Sequence, residues 1–337
     1  MKLLIIGEDA GTGIGGSLYR AALKQSLTPM LLNSNLASGT NALLRRIYWH
    51  ALGRRPVRLR SFSERAVLAA VEHGADLVIA TGLAPLDLPA LMAMRAQGIK
   101  TANFLTDDPW NSAHRAPWFR RALPAYDSIF SPRRANIADL QNAGCRKVHY
   151  LPFGYDEDIF YRDPAASGAS HDHYASDVYF AGGADRDRVP YLGALIGAGL
   201  EVHLHGGYWD RYEETRAYNR GHADASGVRR GLNGARIGLC LVRRANRDGN
   251  CMRTFEVPAC GTCLLAEDTD EHREIFGREG EAAVFFSSVE QMVAKAKLLI
   301  GDDDYRRRIA LAGHALITGG RNTYGDRLLE ICSMAGT

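Results

Sequence analysis

Short apolar runs, several of them closed by a glycine such as Gly7, Gly82, Gly182 or Gly206, alternate along this chain with longer amphipathic stretches, and that alternation narrows the fold more than any other feature. Runs at residues 2–7, 29–32, 76–80, 100–105, 127–131 and 148–151 read as strands, with helical stretches at 17–25, 87–97 and 133–143 between them. A second series follows at 177–181, 201–205, 236–242, 262–266 and 282–286. Its helices fall around 191–196, 252–260, 271–276, 288–300, 304–317 and 324–333. Strands that alternate with helices predict parallel sheets built from βαβ units. At 337 residues, 46% of them hydrophobic, the chain is long enough for two cores. The expected division is an N-terminal Rossmann-like unit over 1–165, a second over 166–320, and a final helix in 321–337 that returns to the first unit.

The densest chemistry lies in residues 248–267, DGNCMRTFEVPACGTCLLAE. A loop that runs into a helix N-terminus offers unpaired backbone N–H groups and the positive end of the helix dipole, which suits a phosphate. Arg253 adds a bidentate donor. Glu256 lies eight residues after Asp248, and two carboxylates beside a phosphate-binding helix suggest recognition of hydroxyls. Gly261 stands where a glycine would end the helix.

Other strand ends carry similar signals. The turn after 177–181 reads Gly182-Gly183-Ala184-Asp185-Arg186-Asp187-Arg188, a glycine turn plus arginine that again suits phosphate, with Arg186 and Arg188 as equal candidates. After 201–205 come Gly206-Gly207-Tyr208-Trp209, whose aromatic rings either stack on a base or pack internally. Beyond 100–105 lies Thr106-Asp107-Asp108-Pro109, at the carboxyl edge where doubly wound sheets bind ligands. Two adjacent carboxylates there are candidates for acceptor positioning or for a general base; a plain turn is the alternative.

The stretch Arg253-Thr254-Phe255-Glu256-Val257-Pro258-Ala259-Cys260-Gly261 resembles the RxFEvxAcG signature of the CgeB-like (spore-maturation) family. More broadly it is similar to the donor site of GT-B glycosyltransferases of the Glu-x7-Glu type. The resemblance spans nearly the whole chain, strongest over 178–327; GAD-LVIATG, DDP and LPFG carry it in the first unit. It implies two Rossmann-like domains facing each other across a cleft and a nucleotide-diphospho-sugar as substrate, with no separate cofactor and no metal. It implies that Glu256 holds ribose hydroxyls, that Asp248 touches sugar or phosphate, and that Arg253 and Thr254 belong to the donor site. Gly15 and Gly16 would let backbone approach the transferred sugar, and Gly183, Gly206 and Tyr208 would line the nucleotide. The implied reaction is glycosyl transfer to an acceptor hydroxyl with retention of configuration. A nucleotide-sugar epimerase of the same architecture and a non-catalytic nucleotide-sugar-binding protein are the alternatives. No nucleic-acid partner is implied.

Composition excludes several other classes. Gly11, Gly13 and Gly16 satisfy G-x-G-x-x-G, but the triplet starts four residues past Gly7, and the second strand ends at Asn33 instead of the acid that binds an NAD ribose. Cys260 and Cys263 have thioredoxin spacing, yet Cys260 falls at a helix C-terminus, which disfavours thiolate. The six cysteines sit mostly in apolar segments and read as reduced thiols. His171 and His173 are too few for a metal site. Asp156-Glu157-Asp158 and Asp185-Arg186-Asp187 match the three-residue D-x-D pattern, which chance produces often. Only six of the 41 basic residues are lysine, and both in the second half lie on a surface-type helix, which argues against Schiff-base chemistry.

The net charge of +3 is unevenly spread. Residues 1–165 hold 20 basic against 14 acidic side chains, and the remainder holds 21 against 24. Residues 43–60, LLRRIYWHALGRRPVRLR, concentrate the positive charge among aromatic and aliphatic side chains. This segment is either a solvated helix face or a site for an anionic or lipid-linked saccharide, a protein acceptor, or a membrane surface. No apolar run reaches the roughly 18 residues of a membrane span, and Met1 leads directly into a strand-like run. The expected location is cytoplasmic, with any membrane contact peripheral and on the inner face.

Overall fold

The computed structural model describes residues 1–9, 11–39, 48, 53–112, 116–163 and 173–336. Its strands form two parallel sheets. The first contains β1 (Lys2–Gly7), β2 (Thr28–Asn33), β3 (Leu77–Thr81), β4 (Lys100–Phe104), β5 (Ser128–Ser131) and β6 (Val148–Tyr150), in the order β2-β1-β3-β4-β5-β6. The second contains β7 (Ser176–Ala181), β8 (Val202–His205), β9 (Ala235–Cys240), β10 (Cys263–Glu267) and β11 (Val284–Phe286), in the order β11-β10-β9-β7-β8. Each strand's apolar run follows from its place: helices cover both faces of a parallel sheet, so a central strand such as β1 has Leu3 to Ile6 fully buried. In register, Ile5 pairs with Leu31 on one side and Ile79 on the other.

The chain divides into two compact units, residues 1–153 with 245–248 and 324–337, and residues 154–244 with 249–323. The first division falls at Gly154, earlier than the expected 165, and the packing on either side explains it. Phe153 stacks at a tilt on Phe104, and its carbonyl accepts from Arg327 Nε and Nη2 at 3.0 and 2.9 Å, all inside the first unit. Tyr155 N instead donates to Asn322 O at 3.1 Å inside the second. The helix Tyr324–Ala335 belongs to the first unit, where Gln25 Nε2 donates to Gly325 O at 3.1 Å.

The helix Ile14–Lys24 starts earlier than the sequence suggested, with Gly15 and Gly16 in its first turn. Both are buried, and the reason is close approach. A Cβ on Gly15 would lie 2.8 Å from Gly7 Cα, and one on Gly16 would lie 2.8 Å from Asp9 O. These glycines let the helix pack hard against the end of β1. Among the described residues, four α-helices were not anticipated: Leu59–His73, Pro117–Ala122, Glu213–Arg216 and Ala225–Gly234. Half of the basic segment 43–60 lies outside the described residues. Its last two positions open the helix Leu59–His73, where Arg60 pairs with Glu64 at 3.0 Å. No described helix is long and apolar enough to cross a membrane.

Candidate functional site: loops at the carboxyl edge of the second sheet

The helix Met252–Ala259 is held at its start by a buried relay. Cys251 is extended (φ −147°), and its N–H donates to Thr254 Oγ1 at 3.0 Å. Thr254 Oγ1 lies 2.9 Å from His272 Nε2, and His272 Nδ1 lies 2.7 Å from the carbonyl of Glu267. A carbonyl only accepts, so Nδ1 carries the proton and Nε2 accepts from the threonine hydroxyl. Burial pushes the His272 imidazole down to about 4, so it is neutral at physiological pH. Thr254 is fully buried and spent on this relay. The helix packs closely on β9, where a Cβ on Gly238 would lie 2.4 Å from Val257 Cγ1. It ends with Pro258 in its last turn and Gly261 in the left-handed region (φ 76°).

The relay has a pH consequence. A base whose folded pKa is depressed from 6.5 to about 4 leaves the unfolded chain binding more protons across that window. Its contribution is therefore complete above pH 6.5 and is lost as pH falls. Between neutral pH and about pH 4.5 the loss from this residue is on the order of 2 kcal/mol. The carboxyl of Glu267, raised by burial, contributes in the opposite sense. Urea unfolding at the two pH values, wild type against His272→Gln, isolates the histidine: the variant should show the smaller pH-dependent loss. Equal losses would remove the assignment.

Arg253 and Glu256 form an ion pair one turn apart on the same helix. Glu256 is 1% exposed. Arg253 Nε also donates to Ala181 O at 3.2 Å, which ties the helix start to the last residue of β7. From that residue the chain enters the Gly182-Gly183 turn, which is laced to the turn after β8. Gly182 N donates to His205 O at 2.8 Å and Ala184 N to Gly207 O at 2.9 Å, while Trp209 Nε1 donates to Gly182 O at 2.8 Å. Gly206 (φ 140°) has no room for a side chain, because a Cβ would lie 2.2 Å from Gly182 O. Gly183 is free of such crowding.

The structure separates the two arginines that the sequence left equal. Arg188 is 9% exposed and braces the fold, donating to Gly183 O at 3.2 Å and Leu241 O at 3.3 Å. Arg186 is exposed on the same loop. The two aromatics separate likewise. Trp209 is buried against Phe180, whereas Tyr208 is 57% exposed in a left-handed conformation (φ 73°) with the Arg211 guanidinium 4.2 Å from its ring centroid. A bulky residue held at positive φ and exposed at a strand end is an unusual local arrangement.

In the first unit, Asp108 is fully buried and both its oxygens are engaged. Oδ1 accepts from Trp110 N at 2.9 Å and Asn136 Nδ2 at 3.0 Å, and Oδ2 accepts from Arg247 Nε at 2.7 Å. Arg247 also pairs with Asp139 at 2.8 Å. Asp107 is partly exposed beside Gly82. Asp248 is ion-paired with Arg133, a buried guanidinium that also donates to Leu105 O at 3.1 Å and Thr106 O at 2.6 Å. Asn246 Oδ1 accepts from Asn111 Nδ2 at 2.6 Å. Segment 245–248 is thus pinned to the first unit by Asn111, Asp108 and Arg133.

Sequence reasoning singled out Asp108, Asp248 and Thr254 but not the partners that occupy them. Arg133 follows the strand-like run 127–131 and Arg247 directly precedes Asp248, and that adjacency was the available signal. His272 gave none, as a lone histidine in a helical stretch. Glu271 was also missed: it is 6% exposed under the loop, accepts from Asn250 Nδ2 at 2.5 Å, and leaves no space for a side chain at Gly249. The six cysteines are free, and burial pushes Cys260 and Cys263 up to about 12, which suits inert thiols. His171 and Asp172 lie outside the described residues.

Residues 189–333 match the family model described as glycosyl transferase-like. No curated protein matches the sequence. Among solved structures, sucrose-phosphate synthase from Thermosynechococcus elongatus is similar at 11% identity, covering 99% of this chain and 98% of that one with a TM-score of 0.70. HepE of Anabaena, in a complex with UDP-glucose, is similar at 14% identity, covering 99% and 100% with a TM-score of 0.69. A UDP-N-acetylglucosamine 2-epimerase, assigned as putative, from Listeria monocytogenes is similar at 13% identity, covering 100% and 97% with a TM-score of 0.58.

Proposed function

We infer the function from a fold of two parallel-sheet Rossmann-like units, whose structural neighbours are glycosyltransferases of GT-B architecture. We propose that the chain is a glycosyltransferase that moves a hexose from a nucleotide-diphospho-sugar to an acceptor hydroxyl. The observation that carries this reading is the bond from Arg253 to Ala181 O, which brings the Arg253–Glu256 pair to the Gly182-Gly183 turn and its exposed Arg186. Two guanidinium groups and a helix N-terminus on one loop cluster suit a diphosphate. The exposed ring of Tyr208 suits a nucleotide base. The signature over 253–261 supports a place in the CgeB-like group, and HepE in its complex with UDP-glucose supports a nucleotide-sugar donor.

Arg253 and Arg186 supply charge that a leaving diphosphate needs, so the reaction is written without a metal. Asp108, with both oxygens committed to structural donors, is assigned to positioning of the 245–248 segment and not to proton abstraction. That assignment favours retention, in which the acceptor hydroxyl approaches from the leaving-group side and the departing phosphate takes its proton. The acceptor is assigned to the basic first unit, as an anionic or lipid-linked saccharide or a protein. A cytoplasmic setting, peripheral to the inner membrane face, fits such an acceptor. Asp107 remains the candidate there for acceptor contact, and Gly15 and Gly16 act by packing the first loop.

The 2-epimerase neighbours keep one other reading open, and product analysis separates them. With UDP-, GDP- and dTDP-sugars, a transferase releases nucleoside diphosphate slowly without acceptor, in the presence of EDTA, whereas an epimerase changes the sugar and needs no acceptor. Proton NMR of the glycosylated product should give the donor's anomeric configuration. Inversion, with Asp108→Asn reducing turnover by about three decades, would overturn the retaining mechanism.

A further inference from the structure

A second polar site lies in the second unit, with none of the Arg186 loop in its lining. On β8, His203 and His205 are two residues apart and so share one face of the sheet. The segment after it pairs along that edge, with Arg220 N donating to Leu204 O at 2.8 Å and Gly206 N to Gly221 O at 2.8 Å. The helix Ala225–Gly234 then begins over the same face. Together they form an open bowl of about 520 Å³ whose ionisable lining includes Arg220, His173, His203, His205, His222 and Asp224.

The chemistry of this lining is one-sided. Asp224, the acidic side chain in the bowl among the described residues, caps the helix Ala225–Gly234: its Oδ1 accepts from Gly227 N at 2.7 Å, and the helix N-terminus offsets part of its charge. Arg220 is exposed and donates to His203 Nε2 at 2.6 Å, with the carbonyl of His173 at 3.5 Å. A guanidinium carries five N–H donors, so donors remain for an incoming oxyanion. His205 adds a ring nitrogen, Nδ1, that is buried and has no hydrogen-bond partner among the described residues. An unsatisfied buried nitrogen beside a cavity indicates a missing partner.

We propose that this bowl binds the phosphoryl group of a small anionic metabolite, held by Arg220 and the imidazoles of His205 and His222. Glu201, 3.2 Å from His203, and Tyr174 are the other titratable groups that border the site. Burial first, then the Arg220 charge, holds His203 and His205 below the usual imidazole range. Both are therefore mostly neutral near pH 7; Arg220 holds His203 Nε2 as an acceptor, so an anion that draws a proton onto His205 binds with proton uptake. Affinity should rise as pH falls. The bowl backs onto the turn that bears Tyr208, since a Cβ on Gly207 would lie 3.5 Å from His222 Cε1. The test must therefore separate the bowl from the Arg186 loop.

Calorimetry with inorganic pyrophosphate as probe does so. Arg220 and His222 are exposed, so Arg220→Ala and His222→Gln should melt as wild type does. Each should weaken pyrophosphate binding about tenfold or more at about pH 6, because a charge-assisted donor is lost. Arg186→Ala should weaken only pyrophosphate held at the donor loop, and the pH-dependent binding that the two bowl variants lose should persist in it. Wild-type affinity should fall about tenfold from about pH 6 to about pH 8 as His205 loses the proton it shares with the anion. Wild-type binding in both bowl variants, loss of all binding in Arg186→Ala, or affinity independent of pH would overturn the proposal.

Discussion

Arg133→Met is expected to destabilise the first unit by about 3–5 kcal/mol, the usual scale for removing one partner of a buried ion pair. The guanidinium is 1% exposed and serves three acceptors at once: the Asp248 carboxylate and the carbonyls of Leu105 and Thr106. It also lies over the Phe153 ring at 5.6 Å. Methionine keeps the apolar stem but supplies no donor, so the substitution takes the cation from a carboxylate whose side chain is only 6% exposed. The double variant Arg133→Met/Asp248→Leu separates charge from packing. If the uncompensated carboxylate is the main cost, the double variant regains most of the loss in urea unfolding. If it is no more stable than Arg133→Met, the two backbone carbonyls and the ring contact carry the effect.

The strands were legible because a parallel sheet buries both faces of each strand, and such runs are short, apolar and bounded by turn residues. The helix Leu59–His73 was hidden by its neighbours. Its buried positions, Leu59, Phe62, Ser63, Ala66 and Ala70, do follow helical spacing, but small and polar members dilute the pattern, and the arginine run before it dominates the composition. The helix Ala225–Gly234 carries three glycines, which propensity counts against, yet Gly231 and Gly234 are needed for its approach to Tyr179 and Tyr174. At the site, sequence identified which residues were chemically capable. It did not say which were already occupied, because Arg133 is 115 residues from Asp248 and Arg247 is 139 from Asp108. The choice between Arg186 and Arg188 had the same character: identical chemistry, separated by burial.

Glu256→Gln is expected to weaken nucleotide binding by about 1–3 kcal/mol while leaving the protein folded. The amide keeps the shape of the side chain, and Arg253, with its side chain 14% exposed, retains some access to water when its carboxylate partner is neutralised. What is lost is a charged acceptor for ribose hydroxyls. Arg253→Ala should weaken binding by a similar amount through the diphosphate, but it should also lower stability, because it strips the cation from a glutamate that is 1% exposed and removes the bond to Ala181 O. The double variant Arg253→Ala/Glu256→Gln decides what the pair is for. If both side chains contact the nucleotide, the double variant recovers part of the stability and none of the affinity in calorimetry with UDP, GDP and dTDP. If affinity returns together with stability, the pair only secures the helix Met252–Ala259, and the donor contacts must be sought at Arg186 and Tyr208.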